Sequence, residues 1–131
     1  MGDNGSDELH TVLVADADEG IRTLVRLTLD GESYRVVEAV DTESALRSVA
    51  AALPDLILLD AALPGAGGMA VTRSLKAQPE TREAHIVLLF DKSAPVDQDE
   101  GRELGVDEFL AKPFNAFALL KKVSALTGED A

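Results

Sequence analysis

Acidic side chains and one lysine that could form a site follow the first, third, fourth and fifth strand-like segments in this sequence. Asp16 and Asp18 follow the apolar run 11–15 and are separated by one alanine. The others are Asp60 after 55–59, Asp91 after 85–90, and Lys112 with Pro113 after 107–111. Carboxylates that lie close together can bind a hard cation such as Mg²⁺, and a carboxylate can attack phosphorus when a cation neutralises the surrounding charge. A nearby lysine would supply a further positive charge.

The strand-like segments alternate with segments in which apolar residues recur at helical spacing. The predicted strands are 11–15, 34–40, 55–59, 85–90 and 107–111, and the predicted helices are 19–31, 42–53, 69–78, 95–104 and 115–126. This alternation predicts an α/β fold in which helices cover both faces of a parallel sheet. Ligands bind at the carboxyl ends of the strands in such folds, so the acids and the lysine should converge there. Asp41 is predicted to cap the second helix.

Length and composition indicate one domain and exclude several classes of function. The chain has 131 residues, 46% of them hydrophobic, which suits a single core. Its formal charge of −12 argues against nucleic-acid binding, which needs clustered Lys and Arg. No apolar run approaches the roughly 20 residues that span a bilayer, and the absence of cysteine permits a cytoplasmic setting. We expect a disordered acidic lead over 1–10, a single domain over 11–126 and a tail over 127–131.

Three segments give the chain a family resemblance: "VLVADADEGIR", "PDLILLDAALPGAGG" and "GVDEFLAKPF". With them, the chain resembles the receiver domains of bacterial two-component response regulators over about residues 11–126. The resemblance implies a (βα)5 flavodoxin-like fold, a doubly wound five-stranded parallel sheet in the order 2-1-3-4-5.

The resemblance also assigns roles to the residues at the expected edge of the sheet. Asp60 would accept a phosphoryl group, and Mg²⁺ would be bound by Asp60, Asp16 and the backbone carbonyl of Ala62. Lys112 would contact a phosphate oxygen, although a salt bridge to Asp60 without any phosphate is an alternative. The peptide bond before Pro113 would be cis.

Two positions depart from the family pattern. Ala17 stands where the family has a second acid that reaches the metal, and Asp18 is only a candidate substitute for it. Phe90 stands where the family has Ser or Thr, whose hydroxyl bonds the phosphoryl group and draws a switch aromatic residue inward. The switch aromatic residue would be Phe109. We therefore predict an atypical stand-alone receiver with weak or absent Mg²⁺ binding and impaired phosphorylation switching.

The resemblance implies protein partners and no enzymatic activity beyond self-phosphorylation. These are a histidine kinase or phosphotransfer protein, and a downstream protein at the face formed by the fourth helix, fifth strand and fifth helix. Nucleic acid and membrane are not expected as partners, and the chain is expected to be a monomer or weak dimer. A fully phosphorylation-independent interaction module remains the main alternative.

Two other functions fit the sequence less well. A haloacid-dehalogenase-type phosphatase would use Asp16 and Asp18 as its D-x-D pair, but Phe90 stands where that family needs Ser or Thr. A flavin-binding protein would need phosphate-binding donors in the first loop, which here carries carboxylates.

Overall fold

Five parallel strands form one sheet in the computed structural model, which describes residues 9–128. The strands are β1 (His10–Ala15), β2 (Tyr34–Ala39), β3 (Leu56–Asp60), β4 (His85–Asp91) and β5 (Glu108–Lys112). Their order is β2-β1-β3-β4-β5, with parallel pairing throughout. The predicted fold class and strand order are confirmed.

Five helices connect the strands. They are α1 (Glu19–Leu29), α2 (Thr42–Ala52), α3 (Gly68–Lys76), α4 (Gln98–Leu104) and α5 (Ala116–Thr127). The predicted cap of α2 is confirmed, because Oδ1 of Asp41 accepts a hydrogen bond from the backbone N–H of Ser44. The predicted start of the fourth helix at residue 95 is wrong. Asp97 caps α4 by accepting from the N–H of Glu100, so the helix begins at Gln98.

The sheet is buried on both faces, which explains the continuous apolar character of its central strands. All five residues of β3 are buried. Alternate residues of β1, β3 and β4 point to opposite sides and form two cores. One core lies against α2 and α3 and includes Phe109; the other lies against α1 and α5 and includes Leu119 and Val123.

The ordered elements extend slightly beyond the predicted domain limits. His10 is the first residue of β1, and Thr127 is the last residue of α5, so neither belongs to a lead or a tail. The rest of the predicted disordered lead and tail, residues 1–8 and 129–131, falls outside the described residues. Within 9–128, no helix has the length and apolar character needed to cross a membrane.

Candidate functional site

The carboxyl ends of β1, β3 and β5 bring three of the predicted residues together. Asp16 directly follows β1, Asp60 is the last residue of β3, and Lys112 is the last residue of β5. The Nζ atom of Lys112 lies 2.6 Å from Oδ2 of Asp16 and 3.4 Å from Oδ1 of Asp60. Lys112 therefore forms the salt bridge to Asp60 that the sequence analysis gave as an alternative, and it makes a shorter contact with Asp16. The peptide bond between Lys112 and Pro113 is cis.

Asp16 is the most enclosed of these groups, with 1% of its surface exposed. Its Oδ2 accepts the hydrogen bond from Lys112, and its Oδ1 accepts one from the backbone N–H of Asp18. Its backbone carbonyl accepts a hydrogen bond from Nη1 of Arg22, whose Nε also donates to Glu38 on β2. Sequence analysis missed Arg22, because its partner on β2 lies 16 residues away.

Burial and neighbouring charges shift the pKa values of the ion pair. Burial raises the pKa of Asp16, and the negative charge of Asp60 adds to the effect, while Lys112 and the N–H of Asp18 oppose it. Burial by itself would lower the pKa of Lys112. Its hydrogen bond to Asp16 and the charges of both carboxylates outweigh that effect, so the pKa of Lys112 is raised. Lys112 is therefore a firmly protonated counter-charge for two acids.

Asp60 lines an open cleft of about 390 Å³. The residue is 9% exposed, and its Oδ1 accepts a hydrogen bond from the N–H of Ala62. Among residues 9–128, no hydrogen bond reaches Oδ2 of Asp60. Lys112 and Asp91 also line the cleft. A small ligand in the cleft could therefore contact the Asp60 carboxylate.

The β1–α1 loop does not supply a second acid to this cleft. Ala17 is exposed, and the Asp18 carboxylate caps α1 by accepting a hydrogen bond from the N–H of Gly20. No ion pair joins Asp18 to Lys112 in the described part of the chain. The structure therefore gives Asp18 a role at the helix terminus, and its predicted substitution for a metal ligand gains no support from the geometry.

The end of β4 carries an aromatic ring and an exposed acid. Phe90 is half-buried and packs against the core on the α2 and α3 side. Asp91 accepts hydrogen bonds from the N–H and the hydroxyl of Ser93, which lower its pKa. Phe109 is 7% exposed and lies in the same core as Phe90. The aromatic ring at the predicted switch position thus lies inside the protein.

The donors present fit a magnesium ion, but with a small protein ligand set. Mg²⁺ accepts one or two carboxylates and keeps several waters, and Asp16, Asp60 and the Ala62 carbonyl could provide such ligands. Residues 9–128 contain no group of three or more His, Asp or Glu side chains arranged around one metal position. The fit is therefore to a largely hydrated ion.

Comparison with known proteins assigns the chain to a family. The model for the response regulator receiver domain matches residues 12–124. The chain belongs to this family. Receiver domains of response regulators act in two-component signalling, as the sequence resemblance implied.

Individual relatives support the same assignment. The response regulator PleD of Caulobacter vibrioides is 39% identical over 116 residues, covering 88% of this chain and 26% of PleD. The chain spans between about a quarter and a half of the length of the curated relatives it matches. A putative response regulator from Chloroflexus aurantiacus has a TM-score of 0.84 at 30% identity, covering 93% of this chain and 100% of that structure.

A third comparison concerns the metal. The receiver domain of the sensor histidine kinase PA1611 from Pseudomonas aeruginosa has a TM-score of 0.80 at 27% identity. The alignment covers 93% of this chain and 100% of that structure, in which a magnesium ion is coordinated in the active-site cleft.

Proposed function

We propose that this receiver domain accepts a phosphoryl group at Asp60 inefficiently and transmits the change weakly to its partners. The observation that supports this most directly is the placement of Asp60 in the lining of an open cleft beside Lys112, which also pairs with Asp16. A carboxylate with a protonated lysine 3.4 Å away is suited to accepting a group that carries negative charge.

The chemistry requires few groups from the protein. Oδ2 of Asp60 would attack phosphorus, and the bond from phosphorus to the donor would break, its electron pair leaving with the donor. Lys112 has three N–H donors, so it could contact a phosphoryl oxygen while keeping its bond to Asp16. A magnesium ion held by Asp16, Asp60 and the Ala62 carbonyl would neutralise charge on the phosphoryl oxygens. With Ala17 in place of an acid, we propose that this ion binds weakly.

Transmission of the phosphorylated state should also be impaired. Receiver domains interact with histidine kinases and with downstream effectors. Phe90 has no hydroxyl to donate to a phosphoryl oxygen, and the ring of Phe109 is buried. A phosphoryl group at Asp60 would therefore lack the hydrogen bond at position 90 through which it could act on this ring. We propose that a downstream protein binds at α4, β5 and α5, where Lys121 and Lys122 line a shallow groove. The predicted cytoplasmic location belongs to the same proposal.

A second candidate is a receiver that acts without phosphorylation. The pair between Lys112 and Asp16 supports it, because the lysine has a short ionic contact within the protein itself. In that case the unphosphorylated domain would bind its protein partner directly. Asp60 would serve only to balance the charge of Lys112.

Labelling with acetyl phosphate and Mg²⁺ distinguishes the two candidates. We expect intact-mass spectrometry to show substoichiometric addition of one phosphoryl group, absent in Asp60→Asn and unchanged in Asp99→Asn, which alters an exposed acid on α4. Beryllofluoride with Mg²⁺ should shift NMR resonances around Asp60 at high concentration only. No label and no shift would favour the phosphorylation-independent module. Stoichiometric labelling would show that the site is not impaired.

A further inference from the structure

The segment that follows Asp60 is held in place by a residue from a different part of the chain. This segment, residues 61–67, is called the acceptor loop here. Pro64 O accepts two hydrogen bonds from Thr42, one from its backbone N–H at 2.9 Å and one from its hydroxyl at 2.9 Å. The same hydroxyl oxygen accepts a hydrogen bond from the N–H of Ala66 at 2.9 Å. Thr42 thus bonds to both sides of Gly65.

The backbone of the acceptor loop is shaped to fit against Thr42. Gly65 has a φ of 105°, a conformation that residues with side chains rarely adopt. A Cβ atom added there would lie 2.7 Å from Oγ1 and 2.8 Å from Cβ of Thr42. The close contact therefore depends on glycine at position 65 both for its backbone angle and for its lack of a side chain.

The rest of the acceptor loop is held at its first residues. The N–H of Ala61 donates to the carbonyl of Leu89 on β4, and the N–H of Leu63 donates to the carbonyl of Asp60 at 3.1 Å. Leu63 is buried in the core with 2% exposure, and the N–H of Ala62 donates to the Asp60 carboxylate. The Ala62 carbonyl belongs to the peptide group between Ala62 and Leu63, so its position is set on one side by Asp60 and on the other, through Leu63 and Pro64, by Thr42.

We propose that Thr42 is a positioning residue for the acceptor site, fixing the acceptor loop and through it the carbonyl of Ala62. The inference rests on the proposed function for its consequence, since the Ala62 carbonyl matters most if the site binds a cation. With Ala17 in place of an acid, the backbone carbonyl is a larger part of the remaining ligand set. Its orientation then has more influence on cation affinity than it would in a site with three acids.

The hydroxyl of Thr42 can be removed with little change of shape. Thr42→Val deletes both hydroxyl hydrogen bonds and keeps the backbone one, while Thr42→Ser keeps all three. Thr28→Val is a matched control. Thr28 is half-buried on α1, and its hydroxyl forms no hydrogen bond among residues 9–128. All three variants should show cooperative urea unfolding, which checks that each one folds.

The first measurement uses the protein without metal. In Thr42→Val we expect amide hydrogen exchange at Ala66 to accelerate about fivefold, as for loss of one ordinary hydrogen bond, and the amide resonance of Ala62 to shift. Thr42→Ser and Thr28→Val should match the wild type. An unchanged Ala62 resonance in Thr42→Val would overturn the inference, because Thr42 would then serve only the start of α2.

The second measurement is a Mg²⁺ titration of the same variants, monitored by NMR. Thr42→Val should bind Mg²⁺ about fivefold more weakly than the wild type, and Thr42→Ser should restore the affinity. Equal affinity in Thr42→Val and wild type would overturn the positioning role while leaving the proposed function intact. A wild-type protein that does not bind Mg²⁺ would contradict the proposed function, and the metal-free measurement would then decide the inference by itself.

Discussion

Ala17 lies between two aspartates whose carboxylates already have other partners. Asp16 is bonded to Lys112, and Asp18 caps α1. The strand ends therefore bring together two acids and one lysine, with the exposed Asp91 as a further acid at the cleft, and a cation gains less from them than from a site that also had an acid at position 17. The side chain at position 17 therefore largely determines how strongly the site can attract Mg²⁺.

Restoring the missing acid should strengthen cation binding. We expect Ala17→Asp to raise Mg²⁺ affinity about tenfold, because position 17 is exposed, directly follows Asp16 and would add a carboxylate ligand. Isothermal titration calorimetry or NMR would measure the change. Ala51→Asp, on the exposed surface of α2, adds the same charge away from the site and should leave the affinity near wild type. Equal gains in both variants would mean that net charge alone is responsible.

At the level of elements, α2 depends on an ionised cap at its first turn. Hydrogen bonds from the N–H and the hydroxyl of Ser44 hold the pKa of Asp41 below its ordinary value of 3.8. A lowered pKa in the folded state means that the ionised carboxylate favours folding. This contribution is complete above pH 3.8 and is lost as the pH falls through the lower folded-state pKa.

The prediction for this cap concerns Asp41→Asn. The variant should be less stable than wild type at neutral pH, and the difference should narrow only below pH 3.8, since asparagine does not titrate. Urea unfolding at several pH values would measure the difference, and NMR titration of the Asp41 side chain would give its pKa directly. A difference that stays constant down to the acid-unfolding region would show that the charge on Asp41 contributes nothing.

The position of α4 depends on a glycine that faces an aromatic ring. A Cβ atom added at Gly101 would lie 2.7 Å from Cζ of Phe109, and Arg102 of the same helix lies over that ring at 5.1 Å. The ring therefore occupies space that a side chain on α4 would otherwise fill. Inward placement of Phe109 and close approach of α4 are parts of one arrangement.

Gly101→Ala should therefore destabilise the protein. Alanine favours helix by about 1 kcal/mol over glycine, but overpacking of a buried contact costs about 1–3 kcal/mol, so a net loss is expected. Chemical denaturation would measure it. When Phe109 is replaced by leucine, Gly101→Ala should cost less stability than it does in the wild-type background, since the smaller leucine side chain makes room. A gain of about 1 kcal/mol in Gly101→Ala would show that α4 adjusts freely.

At the level of the whole molecule, the excess of acidic over basic residues opposes compaction. The sequence has 24 acidic and 12 basic residues, and exposed ion pairs contribute only about 0–1 kcal/mol each. Repulsion should therefore dominate the response to salt. Raising NaCl from about 0.01 M to about 0.1 M shortens the screening length from about 30 Å to about 10 Å and should raise the thermal midpoint.

Magnesium chloride at matched ionic strength separates this general effect from binding at the acceptor site. If MgCl₂ raises the thermal midpoint more than NaCl does in the wild type, but not in Asp60→Asn, Mg²⁺ binds at the acceptor site. A fall in the midpoint with NaCl would show that the ion pairs outweigh the repulsion.

The sequence was sufficient to predict the order and type of every element, because apolar periodicity is a local property. Contacts between distant segments were harder. The salt bridge from Lys112 to Asp60 was considered as an alternative to a phosphate contact, but the shorter contact of Lys112 with Asp16 was not predicted. The contact between Thr42 and Pro64 joins residues 22 positions apart, and no sequence pattern marks it. The predicted start of α4 was wrong because Asp97 was not recognised as the residue that caps this helix.

The ion pair between Asp16 and Lys112 spans 96 positions of the chain. During synthesis, Asp16 and Asp60 are made well before Lys112, so the early chain holds two acids without their counter-charge. Only when β5 adds to the edge of the sheet beside β4 does the lysine reach them. A competent acceptor site therefore requires the sheet to be complete from β1 to β5.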